Sequence, residues 1–152
     1  MAKALFDDEP SFEEIKNEYF DATYGEYSSI FFNHFSNLSK LAEIENVAEK
    51  FTKVKEQAEK MQVKLTELAK QSNGCHKLSL DYVSFHCKLL IKTAEAELAT
   101  IEKGYDDAID YWRELVDFIR RTDLEVQPVF DVYQYLLDLY EFKHTELKKY
   151  KL

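Results

Sequence analysis

Three glycines and two prolines are all that the 152 residues contain. A sandwich or barrel needs turn residues roughly every ten positions, so this scarcity excludes an all-β fold. Cysteine is as rare. Cys75 and Cys87 are the only two, and twelve residues of helix would hold them roughly 18 Å apart, beyond the reach of a disulfide. No apolar run approaches the length of about 18 residues that a membrane span needs, and "MAKALFDDEP" lacks a secretory h-region. These absences predict a cytoplasmic protein. Basic charge is also short, with 20 Lys and Arg against 29 Asp and Glu and a net charge of −9. Such a surface repels phosphate and disfavours a nucleic-acid partner.

What is present is apolar and helical. Apolar residues make up 45% and charged residues 32%, the balance of a globular chain long enough to bury a core without metal or disulfide support. Val47, Phe51, Val54, Ala58, Met61, Leu65 and Leu68 recur at steps of 4, 3, 4, 3, 4, 3, an unbroken heptad seam. A second stripe runs Val83, Cys87, Leu90, Ala94, Leu98, Ile101, Tyr105, Ala108, Trp112, Leu115, Ile119. The two stripes are expected to pack in antiparallel register across a turn in which Gly74 takes a left-handed conformation.

Punctuation divides the chain into four predicted helices, at about 11–36, 39–72, 77–121 and 123–150. Ser11 and Glu14 form an S-x-x-E capping box. The apolar steps tighten to 3, 3, 3 across Leu38, Leu41, Ile44 and Val47, with Ser36, Asn37 and Ser39 beside them. That pattern places a break near residue 37, one continuous helix over 11–71 being the alternative. Thr122 with Glu125, and Pro128, supply start signals for the fourth helix. The expected fold is all-α: one domain over 1–152, an elongated antiparallel up-down bundle with coiled-coil-like packing.

Candidate chemistry is sparse. Glu141 and His144 form an E-x-x-H on the fourth helix, half of the motif that builds a di-iron site. His34, His76 and His86 follow Phe31, Asn73 and Val83 at that spacing, so the second half is missing. Cys75-His76 and His86-Cys87 carry zinc-ligand types, but one helix cannot bring both pairs around a tetrahedral ion. Cys87 reads more simply as a small buried hydrophobe. Phosphate-binding glycine loops, H-E-x-x-H and G-x-S-x-G are all absent. The chain is therefore read as a non-enzyme with no cofactor and no metal.

Surface patterns point to partners instead. Acids cluster over residues 7–26 and 95–125, while Lys143, Lys148, Lys149 and Lys151 form one basic tail. The fourth helix is apolar nearly all round, more than a small bundle covers. Tyr135, Tyr140, Phe130, Tyr133 and Leu137, with Trp112, form the candidate partner or self-association surface. The expected function is a protein–protein interaction module (a scaffold, adaptor or small acidic inhibitor of the immunity type), present as a homodimer. Long antiparallel helices of this kind resemble, in outline, the coiled-coil modules of the BAR type, and the resemblance implies a helical dimer acting on membranes. The charge of −9 departs from the basic face that such binding uses. Membrane action is thus the second reading, and a metal- or oxidant-handling bundle the third.

Overall fold

The computed structural model describes residues 11–72 and 74–142. They are helical, without strands: α1 Phe12–Tyr24, a 3-10 turn Gly25–Tyr27, α2 Ser28–Ala42, α3 Val47–Leu68, α4 Gly74–Lys103, α5 Tyr105–Val126 and α6 Val132–Phe142. The capping box closes as the spacing predicts. The Ser11 hydroxyl accepts from the Glu14 N–H at 3.3 Å, and the Glu14 carboxylate accepts from the Ser11 N–H at 2.9 Å. At Gly25 the backbone takes a φ of 57°, and a Cβ there would meet the His76 ring at 3.5 Å. The kink between α1 and α2 thus needs glycine for its φ and lets α4 approach closely.

The boundary between α2 and α3 lies at residues 43–46, later than the break expected near residue 37. Ser39 does not turn the chain; its hydroxyl donates back to the Phe35 carbonyl at 3.1 Å inside the helix. Asn46 provides the stop and start, its side chain accepting from the Glu49 N–H at 3.0 Å. The continuous helix over 11–71 is excluded by the same turn.

The larger correction concerns the predicted helix over 77–121. It is two helices, because Gly104 breaks it at a φ of 82°. Its N–H closes α4 onto the Thr100 carbonyl at 2.9 Å, and Asp106 and Asp107 then occupy the first turn of α5, where carboxylates suit the positive helix end. The chain reverses. Trp112 donates Nε1–H to the Thr100 hydroxyl at 2.9 Å, Lys92 reaches Glu114 at 3.4 Å, and Phe85 stacks on Phe118 at 5.5 Å between centroids. Partners farther from the turn are farther apart in sequence, so α4 and α5 run antiparallel. On the other flank Gln62 donates to the Ser84 carbonyl at 2.6 Å and Lys55 meets Glu95 at 2.8 Å. The α3–α4 pair therefore runs antiparallel too, across a turn at which Gly74 has positive φ.

Helix α4 is accordingly a shared wall with two buried faces. Leu80, Val83 and Cys87 join Ala58, Met61 and Leu65 of α3, Phe31 of α2 and Tyr24 of α1 in one core. Phe85, Leu89, Ala96 and Ala99 join Trp112, Leu115, Ile119 and Val126 of α5 and Val132 of α6 in a second. Alanines at 94, 96 and 99, all buried, let two neighbours approach one helix closely.

The last helix also starts later than predicted. Thr122 is no cap: its hydroxyl donates to the Phe118 carbonyl at 2.9 Å within α5, which continues to Val126 because Val126 extends the buried face of Leu115 and Ile119. Pro128 sits in the following turn, and Asp131 caps α6 by accepting from the Gln134 N–H at 2.8 Å. Among the described residues no helix is long and apolar enough to cross a membrane.

Candidate functional site

Two regions carry side chains that core packing alone does not account for. The first is the corner where α5 turns into α6. Val132 is buried there, while Phe130, Tyr135, Leu136 and Leu139 are half-buried against the α4–α5 core. Tyr135 holds its hydroxyl 3.4 Å from that of Thr93 on α4. Burial raises its pKa, Glu97 adds to the rise, and the Thr93 contact opposes it. Four large apolar side chains of the corner are exposed among polar ones: Leu124 is 86% exposed, Tyr133 73%, Val129 57% and Leu137 37%. Tyr133 and Leu137 stand four residues apart, so they share one face of α6.

This placement sorts the residues singled out by sequence. Tyr133 and Leu137 are at the surface, and Phe130 and Tyr135 support them from below. Trp112 is fully buried and bonded to Thr100, so it belongs to the core and leaves the candidate surface. The reason is the hairpin at Gly104, which folds α5 back over α4 and covers the indole. The Tyr140 and Glu141 side chains, His144 and the lysines of the tail lie outside the described residues, and with them both side chains of the E-x-x-H pair.

The second region is a polar cluster inside the α2–α3–α4 core. His34, only 3% exposed, has Nδ1 3.3 Å from the Gln57 amide nitrogen and Nε2 3.7 Å from the Cys87 sulfur. The amide nitrogen can only donate, so Nδ1 accepts and the proton belongs on Nε2, facing sulfur. Burial holds the His34 pKa down at about 4, with His86 and Lys64 pressing the same way. Burial likewise lowers the pKa of His86, whose Nδ1 is buried without a partner while its ring packs 5.9 Å from that of Phe35.

A histidine beside a cysteine suggests nucleophilic chemistry, but the electrostatics oppose it. Burial pushes the Cys87 thiol up to about 12, so no thiolate forms near neutrality. The Cys87 side chain is fully buried, which leaves no approach for a substrate to its sulfur. Cys75 is exposed and both cysteines are free. His76 binds elsewhere, its Nδ1 3.1 Å from the Thr23 carbonyl, docking α4 against the end of α1. Among the described residues no group of three or more His, Cys, Asp or Glu is placed to hold a metal ion.

Sequence reasoning missed the His34–Gln57–Cys87 contact altogether. Its signal was a polar residue on the inner face of each of two successive helices: His34 one turn beyond Phe31, and Gln57 next to Ala58 on the seam. No family model, no curated protein and no solved structure matches the chain.

Proposed function

We propose that the protein is a non-catalytic helical interaction module that self-associates through the α5–α6 corner. The observation that carries this reading is the exposure of four large apolar side chains around the corner, Leu124, Val129, Tyr133 and Leu137, beside a core that already has its own apolar residues buried. Tyrosine is enriched at interface centres, and Tyr133 stands exposed on α6 with Leu137 one turn away. The α3–α4 seam, packed in the manner of a coiled coil, supplies the stiff body on which that face is held.

A second copy of the chain is the first partner to consider, because an isologous contact sets Tyr133 and Leu137 against their own symmetry mates. The carboxylates Asp123, Asp131 and Asp138 around the corner would form a polar rim. The scaffold, adaptor and acidic-inhibitor roles all use the same surface and differ only in the second protein. Static light scattering over a concentration series tests the reading. A mass rising from 18.0 kDa toward twice that value supports it, and a mass fixed at the monomer value throughout overturns it. Co-sedimentation with anionic liposomes, which the charge of −9 opposes, would instead favour the membrane-acting dimer.

A further inference from the structure

The seam between α2 and α3 does not close. Ile30, Asn33, His34 and Asn37 of α2 follow the i, i+3, i+4, i+7 rule of one helix face, and Gln57, Lys60, Met61 and Lys64 of α3 follow the same rule. Facing stripes at that spacing normally interdigitate through apolar side chains. Within these stripes Ile30 and Met61 are the apolar members, and together with Val63 the stripes line a groove of about 480 Å³. That volume falls within the range of about 300–1,000 Å³ that small-molecule sites occupy.

The groove is graded from floor to rim. Met61 and His34 are buried at its floor. The imidazole is neutral near pH 7 and fixed on both nitrogens by Gln57 and Cys87, so it is a rigid wall with no free donor. Lys60 and Lys64 stand one turn apart at the rim, where like charges repel. Among the described residues the only ion pair of Lys60 is with Glu56 at 4.0 Å, both side chains well exposed, a contact of little strength. Lys64 has no ion pair among the described residues. Opposite them Asn33 and Asn37 bring two amides, each with N–H donors. A chain of net charge −9 thus gathers two cations and two donors around one cleft with an apolar floor.

We propose that the α2–α3 groove binds a small organic anion, its carboxylate held between Lys60, Lys64 and the Asn33 and Asn37 amides and its short hydrocarbon part covering Ile30 and Met61. Both halves of the ligand are required by the lining. A bare anion would leave the floor wet, and a neutral alcohol would leave the two lysines unneutralised. The site lies on different helices from the self-association surface, so either can fail without the other.

Titration of the full chain with sodium octanoate, followed by calorimetry and by the His34 ring resonances, tests the site. Saturable 1:1 binding with a Kd of about 1 mM or tighter is expected, with the His34 signals moving. Lys60→Glu and Lys64→Glu should each weaken binding roughly tenfold or more. Lys53→Glu, on α3 but outside the groove, should leave it unchanged. Acetate and 1-octanol should each bind at least roughly tenfold more weakly than octanoate. Absence of saturation at about 10 mM octanoate, equal binding by the Lys64→Glu variant, or equal binding of octanol would each overturn the proposal.

Discussion

Lowering the pH from about 7 to about 4.5 should destabilise this protein mainly through one imidazole. His34 is buried with its pKa held at about 4, from an ordinary value of 6.5, by desolvation first and then by His86 and Lys64. No carboxylate is among the groups acting on it; Gln57 and the protonated Cys87 thiol complete its surroundings. The unfolded chain takes up a proton below pH 6.5, whereas the folded chain resists until about pH 4. The unfolded state therefore binds more protons across that window, and stability falls as pH falls through it, levelling off below. A depression of this size corresponds to roughly 3 kcal/mol, and His86, shifted the same way by burial, adds to the loss. Urea unfolding followed by far-UV circular dichroism at a series of pH values reads this directly. Carboxylates elsewhere contribute their own acid dependence, so the decisive quantity is the difference between wild type and His34→Gln, which cannot titrate. The wild type should lose about 2–3 kcal/mol more than the variant between those pH values. Parallel pH profiles would refute the placement of a neutral imidazole in the core.

Met61→Ala should cost about 2–4 kcal/mol in the same unfolding assay, and Phe51→Ala less than the full 3–5 kcal/mol of a buried phenylalanine, because Met61 is buried and Phe51 only half-buried; the reverse order would place the seam the wrong way round. Cys75 should react with a thiol reagent within the native protein and Cys87 only on unfolding, so two fast equivalents would contradict the sealed core. Gly104→Ala should lower stability by about 1–2 kcal/mol, since alanine at a φ of 82° is strained although nothing lies within 4 Å of its Cβ. An unchanged melting temperature would argue for a straight helix through residue 104.

How far the sequence discloses this molecule depends on whether the relevant signal is local. The all-helical class, the Ser11–Glu14 cap and the pairing of the 47–68 seam with the following helix were legible, because capping and heptad spacing are read within a few residues. The hairpin at Gly104 was not. The apolar stripe passes through it from Ile101 to Tyr105 and Ala108 without losing phase, so periodicity alone could not show that the chain reverses there. Helix α4 also buries a second face, with Phe85, Leu89, Ala96 and Ala99, that a one-stripe reading treats as outward. The missed hairpin, which folds α5 back over α4 and buries Trp112, is also why that residue was placed on a surface. Thr122 misled for a related reason: a threonine followed three residues later by glutamate also fits a helix interior, where its hydroxyl bonds back to the preceding turn. Tyr133 and Leu137, both exposed, were singled out because the sequence of α6 lacks a broad polar face. The His34 cluster escaped because its members come from three helices and meet only in the folded chain.

Self-association through the α5–α6 corner is the claim on which the functional reading rests. Sedimentation equilibrium of the wild type beside a Tyr133→Asp, Leu137→Asp double variant measures it most directly. Both side chains are exposed in the single chain, so the variant should keep the wild-type thermal melt when both are diluted to monomer. The account predicts a wild-type dimer and a variant whose dimer dissociates at least roughly tenfold more readily, since two buried aspartates per protomer would face their symmetry mates. A wild type that stays monomeric at all concentrations, or a variant that dimerises as tightly as the wild type, would contradict it.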